Sequence, residues 1–546
     1  MWDRAISRRS FMTVSAMTTV ALAMDWHKIE AFAAKMGPKA DYPTVVIGAG
    51  LGGLCCAAYL AREGIPVTVL EKHDVAGGYA TAFDRAGGKF RFEVSLEGSA
   101  IKGGTIERIL SRLDIMDKLD LVELPHVFRA RVGDKEIPIP QQDPEAYIKA
   151  LSRHFPHEAA GIRGFVQEVM QVHGETQKYA GQSNFLKTVL KPVFPLQYPG
   201  MWKVRNKTLA DLLDEFVKDR AVRQTLSAMW PYYGLPPSKL SGFYYAVATG
   251  GYLQNGSYYI KDRSQALSDL LVTAIEQAGG DVRCESEAKE ILVEKGSVKG
   301  VRTASGDVFP ARAVVSNASA VTTFQEMLPS RAVPEDFRKR LRTYRPSLSC
   351  FIVWLGLNRE LRDRVPWYTN GVGSGRGPEA DYAACLRGEV ETCSFGVTLY
   401  DTLYKGYSRP GTSTMTLICL CGYGPWKRFE TDYRAGNKGA YYREKARWTD
   451  ILIQRTETYL IPGLRSMIEV QEAGTPLTCW RYTGNTQGAI YGFEQSMDNT
   501  FMNRIKNRTP VKGLYLASAW GNPGGGYGGV LRAGEQTFEQ MMADWG

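Results

Sequence analysis

Residues 44–53 read Thr-Val-Val-Ile-Gly-Ala-Gly-Leu-Gly-Gly, and this stretch decides the fold. Its first four residues predict a buried parallel strand, and the glycines that follow have the G-x-G-x-x-G spacing. Residues 54–63 predict a helix that ends at Gly64, and residues 67–70 predict a second strand with Glu71 at its end. A strand, a glycine turn, a helix, a second strand and an acidic residue within about 30 residues predict a Rossmann-type dinucleotide site.

Each residue of the motif has a physical role. Gly48 permits a tight turn, Gly50 lets the backbone approach a pyrophosphate, and Gly53 lets the helix pack closely on the strand. The N-terminus of the helix directs unpaired N–H groups and a positive dipole end at the phosphates. Glu71 is placed to accept hydrogen bonds from the ribose hydroxyls of the adenosine.

Residues 71–78, Glu-Lys-His-Asp-Val-Ala-Gly-Gly, place a glycine pair just after this carboxylate. The segment resembles the E-K-x4-G-G segment of the flavoprotein superfamily that contains phytoene desaturases, carotenoid isomerases, retinol saturases and flavin amine oxidases. The resemblance covers nearly the whole chain after the N-terminal leader and is closest at 44–98, 279–320 and 472–535. Residues 475–492 resemble the isomerase and saturase branch rather than the amine oxidases.

The resemblance implies that the cofactor is FAD. It implies that the glycine pair passes close to the FAD, that the backbone near Ala288 contacts the adenine, and that the last helix directs its N-terminus at the flavin. The predicted cofactor-binding residues are Gly48, Gly50, Leu51, Gly52, Gly53, Glu71, Lys72, Gly77, Gly78, Ala288, Tyr527, Gly529 and Val530. No metal site is predicted, because the nine cysteines and six histidines show no ligand spacing.

The predicted fold is α/β: a discontinuous Rossmann-type FAD-binding domain with an inserted α+β substrate domain. The 546 residues, 44% of them hydrophobic, are enough for such cores. The predicted boundaries are a leader and linker at 1–40, FAD-binding parts at 41–115, 250–325 and 472–546, and substrate-domain parts at 116–249 and 326–471.

The N-terminal leader resembles a twin-arginine export signal. Residues 7–12 read Ser-Arg-Arg-Ser-Phe-Met, the stretch 11–24 carries no charge, and small-residue cleavage sites follow at 21–23 and 31–33. We therefore expect export to the periplasm, a route that carries folded proteins and suits a protein that folds around its cofactor. The alternative is a plain amphipathic leader helix.

Two further features of the sequence bear on binding partners. Residues 185–203 mix apolar and aromatic side chains with lysines, a pattern typical of peripheral membrane contact. The alternative, which is slightly favoured, is a core helix with solvated lysines and a proline break at Pro192. The net charge is +10, but no basic tract with interleaved aromatics predicts nucleic-acid binding.

The predicted function is an exported FAD-dependent oxidoreductase that acts on C=C or C–C bonds of an apolar, isoprenoid or polyene substrate, as a desaturase, saturase or isomerase. The alternatives are a flavin amine oxidase and an exported electron-transfer flavoprotein without turnover. A second nucleotide motif for NAD(P) is absent from the sequence, so the electron donor or acceptor stays unidentified. Tyr527 is a candidate proton donor and Glu97 a candidate base, but a packing or structural role is favoured for each, and no catalytic residue is assigned.

Overall fold

The computed structural model of the chain describes residues 43–545, except 133–134, 183–185, 187–189, 366, 374 and 501–502. The predicted leader and part of the predicted membrane-contact segment therefore lie outside the described residues.

The described strands occur between Thr44 and Leu516. In chain order they are β1 Thr44–Ile47, β2 Val67–Leu70, β3 Ala82–Arg85, β4 Phe90–Glu93, β5 Leu121–Glu123, β6 Phe128–Val132, β7 Lys135–Ile139, β8 Tyr258–Ile260, β9 Asp281–Arg283, β10 Ala288–Glu294, β11 Ser297–Thr303, β12 Val308–Pro310, β13 Ala313–Ser316, β14 Ser349–Leu357, β15 Thr369–Val372, β16 Phe395–Leu399, β17 Ser413–Cys421, β18 Ile468–Gly474 and β19 Leu514–Leu516.

The described α-helices of five or more residues lie between these strands or after the last of them. They are α1 Leu51–Arg62, α2 Thr105–Arg112, α3 Pro144–His154, α4 Ala159–Gly181, α5 Pro199–Val204, α6 Leu209–Phe216, α7 Arg220–Leu226, α8 Gly242–Asn255, α9 Ser264–Gln277, α10 Glu335–Leu341, α11 Pro378–Arg387, α12 Glu430–Arg434, α13 Gly439–Tyr459, α14 Pro476–Thr483 and α15 Tyr527–Trp545.

A parallel sheet of five strands, in the order β19-β13-β1-β2-β9, forms the first layer of the fold. Strand β1 is central, with Val46 paired to Val315 on one side and to Val69 on the other. All three valines are fully buried, as expected for a parallel sheet covered on both faces. The sheet confirms the predicted Rossmann-type α/β fold, and its strands come from distant parts of the chain.

Helix α1 begins at Leu51, three residues earlier than the predicted start at residue 54, because the glycines of the motif form its first turn. It packs against the C-terminal helix α15. A Cβ atom on Gly534 of α15 would lie 2.5 Å from the carbonyl oxygen of Gly52, so the two helices meet with almost no side chain between them. This contact ties the end of the chain to the nucleotide motif.

A second, antiparallel sheet has the order β15-β16-β17-β14-β18. In its register Cys350 lies opposite Leu420, and Ile352 lies opposite Ile418. Since side chains alternate along a strand, these four residues share one face. The other face carries Phe351, whose ring stacks 5.7 Å from that of Trp426 and belongs to a large hydrophobic core.

The helices α3 to α8 form a unit that shares this core with the second sheet. Val169 of α4 and Tyr245 of α8 belong to the same buried cluster as Phe351. A Cβ atom on Gly250 of α8 would lie 2.5 Å from the Cβ atom of His173, which shows how closely α4 and α8 pack. The helical unit and the second sheet therefore pack together around one hydrophobic core, beside the parallel sheet.

Among the described residues, no helix combines the length and the apolar character that a membrane crossing requires.

Candidate functional site

A cavity of about 570 Å³ extends from the glycine turn after β1 to the second sheet. The predicted cofactor residues that line it are Gly48, Gly50, Leu51, Gly52, Glu71, Lys72, Gly77, Gly78, Ala288, Tyr527 and Val530. Gly53 and Gly529 are not among the lining residues. The structure thus brings together residues that are separated by up to several hundred positions in the sequence.

The glycine turn is confined by its own surroundings. Gly48 has a φ of +91°, which favours glycine. A Cβ atom on Gly50 would lie 2.4 Å from Oδ1 of Asn317, and one on Gly52 would lie 2.4 Å from the carbonyl oxygen of Ala517. Gly53 lies behind the turn, where a Cβ atom would lie 2.4 Å from the carbonyl oxygen of Gly48. It therefore supports the turn without facing the cavity.

The first turn of α1 is open to a ligand. Gly50 is the N-cap of this helix, and no side chain caps it. Leu51 and Gly52, the first two helical residues, line the cavity. The first N–H groups of a helix have no partner within the helix, so this end is suited to bind a phosphate.

Asn317 is a site residue to which sequence reasoning gave no role. Its Oδ1 accepts a hydrogen bond from the N–H of Gly50 at 3.1 Å, and its Nδ2 donates to the carbonyl oxygen of Ala517 at 2.5 Å. It follows β13, which is the neighbour of β1. The signal that identifies it is this position at the carboxyl end of a parallel strand, where ligands bind in such sheets.

Glu71 is held in place by backbone donors. Its Oε2 accepts a hydrogen bond from the N–H of Ala49 at 2.7 Å, and its Oε1 accepts one from the N–H of His73 at 2.9 Å. The residue is only 7% exposed, yet it lines the cavity. The carboxylate therefore keeps a fixed orientation and has lone pairs left for a sugar hydroxyl.

Lys72 points in another direction than its neighbour Glu71. Its Nζ donates to the carbonyl oxygen of Arg481 at 2.7 Å. Burial lowers the pKa of Lys72 from its usual value. The side chain thus joins the glycine motif to the end of α14, and its charge lies at the edge of the cavity.

The glycine pair lies against the first glycine turn. The N–H of Gly77 donates to the carbonyl oxygen of Ala49 at 2.8 Å, and a Cβ atom on Gly77 would lie 2.4 Å from the carbonyl oxygen of Ala80. A Cβ atom on Gly78 would lie 3.4 Å from the Cα atom of Gly50. Two backbone segments without side chains therefore border the same end of the cavity.

Tyr527 begins helix α15 on another side of the cavity. Its hydroxyl lies 3.1 Å from Oγ of Ser95, and burial raises its pKa well above the usual range. The loop before it is braced by Arg504, whose guanidinium donates to the carbonyl oxygens of Gly521 at 2.5 Å and Ala519 at 2.6 Å. Burial lowers the pKa of Arg504 to about 10.

The wall formed by the second sheet is apolar. Cys350 and Ile352 of β14, with Ile418 and Leu420 of β17, face the cavity. Trp230, Pro231, Tyr232 and Tyr252 of the helical unit also line it, as do Ile490 and Tyr491. This part of the cavity suits a hydrocarbon rather than a charged ligand.

Glu97 is an acidic residue beside this apolar wall. Its Oε1 accepts a hydrogen bond from the Thr398 hydroxyl at 3.3 Å. Burial raises its pKa above the usual value, against the opposing effect of hydrogen bonds from Tyr232 and Thr398. Within the described parts of the chain, no group of three or more His, Cys, Asp or Glu residues has the geometry to hold a metal ion.

The fold and site define a dinucleotide-binding protein of the Rossmann type. The family model described as an NAD(P)-binding Rossmann-like domain matches residues 46–113. The human all-trans-retinol 13,14-reductase is 26% identical over 521 residues, which cover 89% of this chain and 83% of that protein. The chloroplastic prolycopene isomerase of Daucus carota is 23% identical over 535 residues, which cover 94% of this chain and 82% of that protein.

Solved structures resemble the chain in fold. A putrescine oxidase variant matches with a TM-score of 0.59 at 13% identity, covering 92% of this chain and 99% of that one. Cyclohexylamine oxidase from Brevibacterium oxydans matches with a TM-score of 0.56 at 14% identity, with the same coverage. Over most of its length the chain is therefore similar to a retinol 13,14-reductase and a prolycopene isomerase, and it shares its fold with the two amine oxidases, in agreement with the resemblance predicted from the sequence.

Proposed function

We propose that this chain is an exported FAD-dependent oxidoreductase that acts on C=C or C–C bonds of an apolar polyene of the isoprenoid class, with desaturase, saturase or isomerase chemistry. One observation carries the proposal: a single cavity joins the glycine turn to the apolar wall of the second sheet. The names of the relatives, a retinol reductase and a prolycopene isomerase, support a polyene substrate.

The residues present fit an FAD. Backbone without side chains surrounds one end of the cavity, where added Cβ atoms would collide at Gly50, Gly52 and Gly77. We expect this turn and the uncapped end of α1 to hold the diphosphate, and Glu71 to hold the ribose. The backbone at Ala288 is expected to contact the adenine, and Tyr527 with Val530 to border the flavin.

Bound flavin supplies hydride chemistry. The chain's own residues do the remainder: they orient the substrate and exclude water. Ile352, Ile418 and Leu420 present a continuous apolar surface on paired strands, which favours a hydrocarbon chain and disfavours water. Water exclusion protects the reduced cofactor from side reactions and strengthens electrostatic interactions in the cavity.

Location and partners are part of the proposal. The twin-arginine-like leader supports export to the periplasm. Peripheral membrane contact through 185–203 would give access to a lipid-soluble substrate, and the side chain of Leu196 in this segment is 65% exposed. The electron donor or acceptor is expected to be a separate molecule, because the sequence has no second nucleotide motif.

The experiment is an anaerobic screen of the purified protein against polyenes, quinones and amines, with flavin absorbance and the double-bond content and geometry of each polyene as readouts. A polyene that is desaturated, saturated or isomerised supports the proposal, with quinone expected to reoxidise the flavin. Reduction by an amine with release of hydrogen peroxide would instead support an amine oxidase. If no polyene is altered, the proposal is wrong, whatever else changes the flavin spectrum.

A further inference from the structure

Glu97 lines the cavity together with aromatic residues and hydroxyl groups, and its backbone is firmly anchored. The Tyr368 hydroxyl donates to its carbonyl oxygen, and the Tyr400 hydroxyl donates to the carbonyl oxygen of Leu96 at 3.2 Å. The N–H of Leu96 donates to the Glu93 carboxylate at 3.0 Å. The Glu97 carboxyl therefore has a fixed position beside the substrate end of the cavity.

The partners of this carboxyl are hydroxyl groups. Thr398 and Tyr232 provide its side-chain hydrogen bonds. Among the described residues, no lysine, arginine or histidine contributes to the shift of its pKa. The titratable groups whose charge couples to it are tyrosines from several packed elements, namely Tyr232, Tyr252, Tyr368, Tyr400 and Tyr491. A buried carboxyl without a cationic partner favours its protonated form.

A second, much smaller void lies beside the same residue. It measures about 10 Å³ and is bordered by Glu97, Tyr232, Tyr252, Ser257 and Tyr368, among others. That volume is about what one water molecule needs, and the lining offers several polar partners. Glu97 borders both this void and the large cavity.

We propose that Glu97 is the proton-carrying catalytic residue for the reaction at the substrate double bond, and that the small void with its tyrosine hydroxyls returns the proton to it. This inference rests on the proposed function. In saturation, one carbon of the C=C bond accepts a hydride, with its two electrons, from the reduced flavin, which is thereby oxidised. The other carbon accepts the proton of Glu97, and the carboxylate that remains takes up a proton from bulk solvent, which the void and its hydroxyl groups relay. Desaturation reverses both transfers.

The other acidic residues of the cavity have different tasks. Glu71 accepts backbone hydrogen bonds at the glycine turn, and Asp381 accepts a hydrogen bond from the Ser394 hydroxyl at 2.6 Å. Glu287, which also lines the cavity, lies close enough to Lys72 for its charge to favour the ammonium form of that lysine. Tyr527 and Tyr491 also line the cavity, but burial moves their pKa values upward, away from neutrality. For Glu97 the same effect moves the pKa towards neutrality, where proton transfer is most efficient.

The test compares Glu97→Gln with Glu494→Gln. The control residue is a glutamate whose pKa burial also raises and which accepts a hydrogen bond from Tyr382, but it does not line the cavity. E97Q keeps the shape of the side chain, so we expect it to bind flavin and to unfold at the wild-type temperature. Its turnover of a polyene should fall by about 100-fold or more, while E494Q should retain wild-type turnover.

Two further readouts separate a proton-carrying role from a merely structural one. Wild-type turnover should change with pH through the raised pKa of Glu97: it should fall with rising pH in saturation and rise in desaturation. Tyr232→Phe removes a hydrogen bond that lowers this pKa and should shift the midpoint to higher pH. The infrared band of a protonated carboxyl that E97Q lacks should titrate with the same midpoint, with or without turnover.

The outcomes are distinct. If wild-type protein turns over a polyene and E97Q does so at the same rate and with the same pH profile, the Glu97 proposal is wrong and the proposed function stands. If no E97Q-sensitive carboxyl band titrates above the usual glutamate range, the Glu97 proposal is also wrong. If wild-type protein acts on no polyene, the proposed function fails and this inference fails with it.

Discussion

The N–H of Gly50 donates a hydrogen bond to Oδ1 of Asn317 at 3.1 Å, across 267 positions of the sequence. The amide of the same side chain donates to the carbonyl oxygen of Ala517. One asparagine thus joins three strand ends of the parallel sheet at the point where the cavity begins. We regard it as the residue that fixes the shape of the glycine turn.

Replacing Asn317 with alanine should weaken cofactor binding without unfolding the chain. The substitution leaves the Gly50 N–H and the Ala517 carbonyl without this partner, and the turn is expected to relax. We expect the dissociation constant for FAD to rise about tenfold, which corresponds to roughly 1.4 kcal/mol. Flavin fluorescence titration measures it, with the exposed Asn437→Ala as a control. Unchanged affinity would show that Asn317 has no part in shaping the site.

Gly52→Ala should be more damaging, because the collision is with backbone. Its Cβ atom would lie 2.4 Å from the carbonyl oxygen of Ala517, which cannot move without shifting the strand end. We expect protein purified with little or no flavin. Gly174→Ala in α4 is the matched control, since a Cβ atom there would have no heavy atom within 4 Å apart from its chain neighbours and the backbone of its own helix. A normally flavinylated G52A protein would contradict the steric account.

The sequence alone predicts the roles of some site residues and not of others. The glycine turn, the two strands and Glu71 follow from local sterics and short-range pattern, and these were predictable. Asn317 and Arg504 act through contacts with chain segments that only the folded sheet brings close, so no local pattern indicates their roles. The sequence indicates Glu97 as a candidate base, but the small void beside it and its tyrosine neighbours are formed by packing between distant elements.

The start of helix α1 is a second feature that the sequence pattern does not predict correctly. The prediction began α1 at residue 54, whereas the helix begins at Leu51. Glycine has poor helix propensity, so Gly52 and Gly53 suggested a turn. In the structure, contacts with Ala517 and Asn317 hold these glycines in the first helical turn.

Glu535 should make stability depend on pH. Its fully buried carboxylate accepts hydrogen bonds from Arg108 at 2.6 Å and from Arg112 at 3.0 Å, and it also pairs with Arg532. Burial opposes ionisation, but the arginines outweigh it, and the pKa of Glu535 is lowered. A lowered folded-state pKa gives stability that is present above the unfolded pKa and is lost as pH falls through the folded value.

We therefore expect the free energy of unfolding of the wild-type protein to decrease as the pH falls below about 4.5. The free energy of unfolding of Glu535→Gln should decrease less over the same range. At neutral pH the variant should be less stable, at the low end of roughly 3 to 5 kcal/mol, because Arg108 and Arg112 remain half exposed. Denaturant unfolding at several pH values measures both effects. If the free energy of unfolding depended on pH in the same way for both proteins, the role assigned to Glu535 would be wrong.

The proposal that the leader is an export signal can be tested directly in cells. Arg8→Lys combined with Arg9→Lys preserves charge but removes the arginine pair. We expect wild-type protein in the periplasmic fraction and the double variant retained in the cytoplasm as a folded flavoprotein. Equal periplasmic amounts of both would show that the leader does not act through the twin-arginine route. Lys35→Arg, outside the motif, serves as the control.

The most direct measurement is the absorption spectrum and cofactor content of the purified protein. We predict a yellow protein that releases FAD, identified by mass, on denaturation, in a ratio approaching one per chain, and that takes up added FAD when stripped. A folded protein that is colourless and does not bind added FAD would contradict the account.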